Sequence, residues 1–369
     1  MKSTHKKYMS LALELAQKGK GFVSPNPLVG AIIVRDDKIV GSGFHPKFGE
    51  AHAEINAINN AKENKIIDFS DCTIYVTLEP CSHHGKTPPC APALVQNKFK
   101  RVVIAMSDPH SKVDGSGISL LKKAGIEVEL GVLEEESNWL NRFFIKHIQS
   151  GMPYIISKFG SSIDGRIALE NGESQWITSL ESRKDVHKTR AEVDAILVGK
   201  GTALSDNPKL NIRNISGPDP KRIVCDSDLS LPMELNLFSD ENSKNTFVIC
   251  SEDNFDKKKY KEFSARNIKL IPVKKNKTGL DLESAFKIMG REHKINSILV
   301  EGGSGIHSYL MQNNLVDEIQ AYIAPMIIGR GLGAFSNLEY DKLDEIPHWE
   351  LKKMIKLDND IKLIYVNRL

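Results

Sequence analysis

His52, Glu54, Cys81 and Cys90 are the residues whose types and spacing could do chemistry in this chain. Imidazole and thiolate are donors that zinc prefers, and three protein ligands leave a fourth tetrahedral position for water, as a catalytic site requires. The spacing limits where a metal can sit. With about 3.6 residues per helical turn, positions two apart face nearly opposite ways, so His52 and Glu54 cannot share one helix face. The metal must lie off the end of a helix rather than beside one. Gly49-Glu50-Ala51 precedes an Ala/Asn/Ile-rich run to Lys65 that reads as a helix starting near His52. Cys81 follows an apolar strand, Thr73 to Thr77, and the Pro80 that stops it. Cys90 leads into Ala91-Pro92-Ala93-Leu94-Val95, where Pro92 suits a first helical turn. Helix N-termini carry partial positive charge, which favours thiolate over thiol.

His-x-Glu followed by Pro-Cys and a further Cys matches the signature of zinc deaminases. There the metal activates a water that attacks an amidine-like ring carbon, while the Glu, which is not a ligand, carries protons. A lone His-x-Glu arises by chance and a free Cys is often a small buried hydrophobe. The combination with Pro-Cys after a strand is far more specific. One departure stands out: the signature reads Cys-x-x-Cys, whereas Ser82 to Pro89 separate the two cysteines here. That loop must bulge beside the metal, where it can contact substrate.

The elements that must position these residues follow from the rest of the chain. At 369 residues two domains are expected, and 40% hydrophobic with 26% charged residues is enough for two buried cores. A net charge of +3 provides no field that would draw nucleic acid or an anionic membrane. Five cysteines argue against a disulfide framework and for a reducing compartment. No signal-peptide pattern and no long apolar run is present, so the expected address is the cytoplasm.

A first helix is expected over Tyr8–Lys18, then a hairpin of Leu28–Val34 and Ile39–Gly43 around Asp36-Asp37. The His52 helix, the Thr73 strand, the Cys90 helix, a strand Arg101–Met106, a helix ending at Gly125 and a strand Ile126–Leu130 complete an α/β layered fold. A connecting helix over Glu134–Ile148 leads to a boundary at Gly151-Met152-Pro153, dividing the chain into 1–150 and 151–369. Strands are expected at Tyr154–Phe159, Ala195–Val198, Arg222–Cys225, Phe247–Cys250, Ile268–Val273 and Ile298–Val300, with helices over Leu180–Glu192 and Leu282–Met289 between them. Glu350–Lys356 and Lys362–Val366 add an antiparallel finish to a largely parallel sheet. Gly199-Lys200-Gly201-Thr202 and Gly302-Gly303-Ser304-Gly305 each follow an apolar strand. Two such turns are what a nucleotide cofactor at a sheet edge needs, although Ser308 at the sixth position breaks the dinucleotide fingerprint.

Nearly the full length resembles the bacterial bifunctional riboflavin-biosynthesis family, a pyrimidine deaminase fused to a pyrimidine reductase. The resemblance rests on His52-Ala-Glu54, on Thr77-Leu-Glu-Pro-Cys-Ser-His-His-Gly-Lys-Thr-Pro-Pro-Cys90, on Lys158 to Arg166 and on Gly172 to Thr178. It implies a cytidine-deaminase-like first domain and a dihydrofolate-reductase-like second one. The implied reactions are loss of the 2-amino group from 2,5-diamino-6-ribosylamino-4(3H)-pyrimidinone 5′-phosphate, then NADPH reduction of the ribosyl group to ribityl. It implies one zinc on His52, Cys81 and Cys90 with Glu54 as proton shuttle, and substrate contacts at Asn26, His45, His83, Lys86 and Asp108. His110 stands where the family usually has Asn. In the second half it implies substrate contacts at Lys158, Ser174, Arg190, Leu210, Arg213 and Glu301. Cofactor contacts fall on Gly160, Trp176, Thr202, Asp206, Ser227 and the stretch Gly303, Ser304, Gly305, Ile306, His307, Ser308 and Tyr309. Guanidinium forks such as Arg190 and Arg213 suit a phosphomonoester. The implied partner is a small phosphorylated pyrimidine, with neither nucleic acid nor membrane, and a homo-oligomer is left open.

Two other readings compete. A deaminase of tRNA or free nucleosides with an unrelated appendage would need basic surface in its RNA form, which this near-neutral chain lacks. A zinc-stabilised binding protein without turnover would have no use for Glu54. Metal analysis with an NADPH titration separates all three.

Overall fold

A computed structural model describes residues 2–84, 87–110, 115–254, 257–276, 279–335 and 338–367. The chain divides into two compact units, Met1–Gly151 and Met152–Leu369. Each has its own main sheet.

The first unit opens with α1 (Lys2–Ala16), β1 (Gly30–Arg35), β2 (Lys38–Phe44) and α2 (Ala53–Glu63). It continues with β3 (Thr73–Leu78), α3 (Cys90–Gln96), β4 (Arg101–Met106), α4 (Ser116–Lys123) and β5 (Glu127–Leu130). Two short helices, α5 (Glu134–Leu140) and α6 (Arg142–Ser150), end it. The sheet order is β2-β1-β3-β4-β5, antiparallel from β2 to β3 and parallel from β3 to β5. Asp36 and Asp37 turn the hairpin with φ of 49° and 57°, left-handed values that Asp tolerates better than most residues.

Strand period two divides the apolar residues between two layers. Ala31, Ile33, Ile74, Val76, Val102 and Ile104 pack under Ala53, Ala57, Leu94 and Leu121. Ile32, Val34, Tyr75, Val103 and Ala105 pack on the other side with Tyr8, Met9 and Leu13 of α1. Both faces are covered, which is why β3 and β4 read as unbroken apolar runs. On β2 the fit to α2 is close. A Cβ at Gly43 would stand 2.4 Å from Ala57 N and 2.6 Å from Ala53 O. Glycine on the strand and alanine on the helix thus seat α2 against β2 and set where its N-terminus points.

The expected single helix over Glu134–Ile148 is two helices, interrupted at Asn141. That residue is 2% exposed. Its carboxamide accepts the Leu28 N–H at 2.8 Å and donates to Leu28 O at 3.0 Å, as a neighbouring strand would. Satisfying a half-buried backbone pair in the loop outweighs helical continuity.

The second unit contains β6 (Tyr154–Ser162), β7 (Arg166–Leu169), α7 (Leu180–Glu192), β8 (Ala195–Gly199), α8 (Lys200–Asp206) and β9 (Lys221–Cys225). There follow α9 (Asn236–Ser239), β10 (Thr246–Ser251), α10 (Lys257–Ala265), β11 (Lys269–Val273), β12 (Lys275–Asn276), β13 (Gly279–Leu280) and α11 (Leu282–His293). The last elements are β14 (Ser297–Val300), α12 (Ser304–Gln312), β15 (Glu318–Ala324), β16 (Gly331–Gly333), β17 (Trp349–Leu357) and β18 (Asp360–Asn367). The main sheet runs β11-β10-β9-β8-β14-β6-β15-β18-β17, parallel as far as β15 and antiparallel beyond it. β15 was not among the expected strands. Glu318 and Gln320 interrupt its apolar pattern, yet both are buried, and Gln320 Nε2 donates to Glu318 Oε1 at 2.7 Å.

The chain leaves β8 through α8 toward β9 and leaves the adjacent β14 through α12 toward β15, on the opposite side. Connections that part in opposite directions open a crevice at the carboxyl ends of the strands, where ligands of α/β sheets bind.

Candidate active sites

In the first unit, α2 and α3 aim their N-termini at one point. His52 is the N-cap of α2 and Cys90 the first residue of α3. Nδ1 of His52 lies 3.6 Å from Cys81 Sγ and 3.3 Å from Cys90 Sγ. All three donor atoms fall within 4.8 Å of one another. A tetrahedral zinc with bonds of about 2.0 Å to nitrogen and about 2.3 Å to sulfur would separate N from S by about 3.5 Å. The donor set therefore fits zinc in both kind and spacing. The ring is oriented from behind: its Nε2–H donates to Thr87 Oγ1 at 3.1 Å, leaving the Nδ1 lone pair for a metal. Hydrogen bonds from Cys90 pull the Cys81 thiol down to about 4, its backbone N–H among them, which reaches the sulfur at 3.3 Å. The bond Cys90 gives to Cys81, together with burial, pushes its own thiol up.

Glu54, in the first turn of α2, is 3% exposed and stands outside the His/Cys donor cluster. Burial, then the neighbouring Cys81 charge, pushes its carboxyl up to about 7. A carboxyl in that range can both take and give a proton near neutral pH.

A cleft of about 590 Å³ opens onto these groups. Asn26, His45, His83 and Asp108 line it, as do His110 and Thr87. Lys86 lies outside the described residues. Asp108 Oδ1 accepts the His110 N–H at 2.9 Å, and burial pushes the Asp108 carboxyl up. The segment that carries them is held from below. Buried Glu79 accepts N–H bonds from Asp108 (3.3 Å), Gly115 (3.1 Å), Gly117 (2.9 Å) and Ile118 (3.1 Å). Glu79 and Thr87 both lie inside the quoted motif, but their supporting roles show only in three dimensions. Phe144 and Ile148 of α6 add apolar wall to the cleft and had no sequence signal beyond amphipathic spacing.

In the second unit, strand alternation separates neighbours on β6. Lys158 faces Glu301, Arg190 and the ring of Tyr322, with its Nζ 5.5 Å from that ring's centroid. Burial lowers the Lys158 pKa. Ser157 faces the other way, its Oγ 2.8 Å from Nδ1 of His307. The His307 side chain is fully buried, and burial holds its pKa down at about 4. Arg190 spends its fork on Glu301, Nε to Oε1 at 2.7 Å and Nη2 to Oε2 at 2.9 Å. Burial alone would raise the Glu301 carboxyl, but the Arg190 charge and its hydrogen bonds hold it at about 2. Of the two expected phosphate-binding guanidiniums, Arg213 is the exposed one. Its backbone N–H donates to Nδ1 of His187 at 3.2 Å, and His187 was not foreseen. Leu210 is buried in the left-handed region at φ 49°. Ser174 is exposed, and so is Trp176, over which Arg183 stacks at 4.3 Å.

The two glycine turns meet at the crevice between β8 and β14. Thr202 Oγ1 is 4.0 Å from where a Cβ of Gly303 would stand, and Gly199 N is 3.7 Å from that of Gly302. Side chains added at Gly199, Gly201 or Gly305 would meet nothing within 4 Å. Bare backbone at the start of α12 is a cradle suited to the pyrophosphate of a dinucleotide. Asp206 ends α8, and Ser227 follows β9 by two residues. Tyr309 Oη receives a hydrogen bond from Asn276 at 3.1 Å.

A family model for the cytidine and deoxycytidylate deaminase zinc-binding region matches residues 2–106, and one for the RibD C-terminal domain matches residues 153–363. The riboflavin biosynthesis protein RibD of Escherichia coli (strain K12) is 39% identical over 374 residues, covering 96% of this chain and 97% of its own. That of Actinobacillus pleuropneumoniae is 38% identical over 361 residues, with 97% and 94% covered. Among solved structures, Acinetobacter baumannii RibD superposes with a TM-score of 0.88 at 35% identity over 100% of both chains. A Thermotoga maritima diaminohydroxyphosphoribosylaminopyrimidine deaminase/5-amino-6-(5-phosphoribosylamino)uracil reductase does so with a TM-score of 0.87 at 35% identity over 99% of each.

Proposed function

Because the chain belongs to the RibD family of riboflavin biosynthesis proteins, we propose that its two units divide a two-step conversion between them. The protein is a bifunctional zinc-dependent deaminase and NADPH-dependent reductase, with a cytidine-deaminase-like fold followed by a dihydrofolate-reductase-like one. Its substrate is a small phosphorylated pyrimidine. In our reading residues 1–150 remove the 2-amino group of 2,5-diamino-6-ribosylamino-4(3H)-pyrimidinone 5′-phosphate. Residues 151–369 then reduce the ribosyl group, giving 5-amino-6-ribitylaminouracil 5′-phosphate.

His52, Cys81 and Cys90 would hold the zinc, which when bound supplies the Lewis acidity that lets water give up a proton near neutral pH. Glu54 takes that proton and delivers it to the exocyclic nitrogen, so that ammonia rather than an amide anion leaves. Burial of Glu54 limits exchange of that proton with bulk water. In the second unit the backbone at Gly303 and Gly305 would seat NADPH, which when bound supplies the hydride. Lys158 and Glu301 lie beside that crevice, and exposed Arg213 is free to meet the phosphate of the substrate.

The observation that carries this reading is the His52/Cys81/Cys90 donor cluster next to a buried carboxyl pushed up to about 7. It calls for no nucleic-acid or membrane partner. Among the described residues no helix is long and apolar enough to cross a membrane. All five cysteines are unpaired, which supports the cytosol as its address.

Purified protein given the diaminopyrimidine should release ammonia without NADPH. With NADPH present, it should oxidise the cofactor only as fast as ammonia appears. Deamination replaces a C2 donor with an acceptor, and a pocket that bonds one can reject the other by up to roughly 10⁴-fold. NADPH oxidation on the undeaminated compound by a Glu54→Gln variant, at the wild-type rate, would overturn that order.

A further inference from the structure

Asn26 and His45 both line the deaminase cleft, yet only one of them has an atom left over to meet a substrate. His45 follows β2 directly and is 2% exposed. Its backbone N–H is tied to Val29 O at 2.9 Å. Nδ1 of its ring lies 3.1 Å from Ala51 O, and Nε2 lies 3.1 Å from Nδ2 of Asn26. Both ring nitrogens are thus engaged within the protein.

The chemistry of the partners fixes the direction of each bond. A backbone carbonyl can only accept, so Nδ1 must carry a hydrogen. Among the described residues no carboxylate is hydrogen-bonded to this buried ring, and in a neutral imidazole with Nδ1 protonated, Nε2 is a lone pair. A lone pair calls for a donor, and the only donor end of an Asn side chain is its amide nitrogen. The carboxamide cannot turn over without setting its oxygen against that lone pair. Among the described residues Asn26 Oδ1 has no protein partner, and it belongs to a residue on the cleft wall.

The far end of this relay is equally fixed. Ala51 O also accepts from Nδ2 of Asn56 at 3.2 Å, and that same nitrogen donates to Phe44 O at 2.8 Å. Ala51 immediately precedes the metal ligand His52, whose ring meets that of His45 edge-on with centroids 5.4 Å apart. The orientation of one amide in the cleft is therefore set from the N-terminus of α2, the point from which the metal donors are also set.

We infer that His45 is a positioning residue of the deaminase, holding the Asn26 carboxamide so that its oxygen faces the cleft and selects a pyrimidine edge offering an N–H. With the amide reversed, the same residue would present a donor and prefer a ring carbonyl or an unprotonated ring nitrogen. His45 thus acts on specificity through Asn26 and does not touch the substrate. The inference rests on the deaminase reading of this unit.

The test uses the full-length, zinc-loaded chain and the diaminopyrimidine phosphate, with ammonia release as the readout. His45→Phe should raise KM by about 10- to 100-fold, the cost of losing one oriented hydrogen bond, with kcat changed far less. Asn26→Ala should do the same, and the double variant should be no worse than Asn26→Ala alone. His45→Gln, whose side-chain oxygen can accept the same amide N–H, should recover most of the loss. Multiplying losses in the double variant, or a His45→Phe enzyme with wild-type KM, would overturn the inference. A second measurement needs no variant to fold. Long-range proton–nitrogen NMR of wild-type protein should find Nδ1 protonated and Nε2 bare in His45, and the reverse tautomer sinks the proposal. Zinc content and NADPH oxidation on supplied deaminated intermediate report whether each variant is intact. Absence of ammonia from the wild-type chain would instead refute the deaminase reading, while the NMR result would still stand or fall separately.

Discussion

The two units place charge in opposite ways. In the first, the reactive groups hang from short segments: His52 and Glu54 share one helix start, and Cys81 and Cys90 flank one loop. Their environment comes from helix N-termini and from backbone N–H groups such as that of Cys90. In the second, the polar groups come from distant strands and helices and neutralise one another. Arg190 and Glu301 lie 111 residues apart, and Asp185 receives both Lys362 Nζ at 2.7 Å and Tyr322 Oη at 2.8 Å. A site built on backbone donors tolerates loss of one side chain without leaving a buried charge stranded. A site built on buried ion pairs does not, because each partner has already lost its water.

The sharpest separation comes from Glu54→Gln. Zinc should stay bound, ammonia release should fall by about 10²- to 10⁴-fold, and NADPH oxidation of supplied deaminated intermediate should be unchanged. Loss of zinc in that variant would make Glu54 a ligand and erase the contrast. Next in size, Arg190→Gln should destabilise the second unit by about 3 to 5 kcal/mol, because it strands a carboxylate whose side chain is only 11% exposed. Denaturant unfolding followed in that unit, with zinc content as the control for the first, reads this effect. If the variant unfolds like wild type, the pair is held no more firmly than a surface bridge.

Acid should reveal the same pair without mutation. Glu301 has its folded pKa depressed to about 2, below the ordinary value near 4.3. Its contribution is therefore present above about pH 4 and is lost as pH falls toward 2, amounting to roughly 3 kcal/mol. The slope of unfolding free energy against pH in that window should flatten in Glu301→Gln, and an unchanged slope would assign the acid lability elsewhere. The smallest effect tests the packing that serves the first site. Gly43→Ala should cost about 1 to 3 kcal/mol by forcing α2 away from β2. Since α2 carries His52, zinc should leave that variant faster in a chelator competition, while an unaltered release rate would mean the helix start is held by other contacts.

The same contrast explains what could be read in advance. The zinc donors were legible because their types are rare and their spacing forces a helix-end geometry. The strands of both sheets were largely legible where both faces are buried, as in β3 and β4. β15 was hidden because Glu318 and Gln320 satisfy each other inside the core, a pairing that leaves no periodic trace. The break at Asn141 was hidden because its partner, Leu28, lies at the other end of the unit. Thr87 and Glu79 stood in plain view within the motif, but which atom each one holds is a property of the fold. The side-chain chemistry of Arg190 suits a phosphate clamp, and local sequence holds nothing to show that Glu301 occupies that fork.

The bond between Asn141 and Leu28 also has a consequence in time. The loop bearing Asn26 is pinned by a residue 113 positions later. At about 5 to 20 residues per second, the ribosome needs roughly 6 to 23 s to deliver that pin after the loop has been made. In the later part of this interval all the metal donors are in the growing chain, since Cys90 precedes Asn141 by 51 residues. The rim of the cleft therefore closes after its floor can form. Protease protection of residues 19–28 in nascent chains stalled before and after the release of Asn141 should rise only in the longer chain. Equal protection in both would mean that the rim sets without its late anchor.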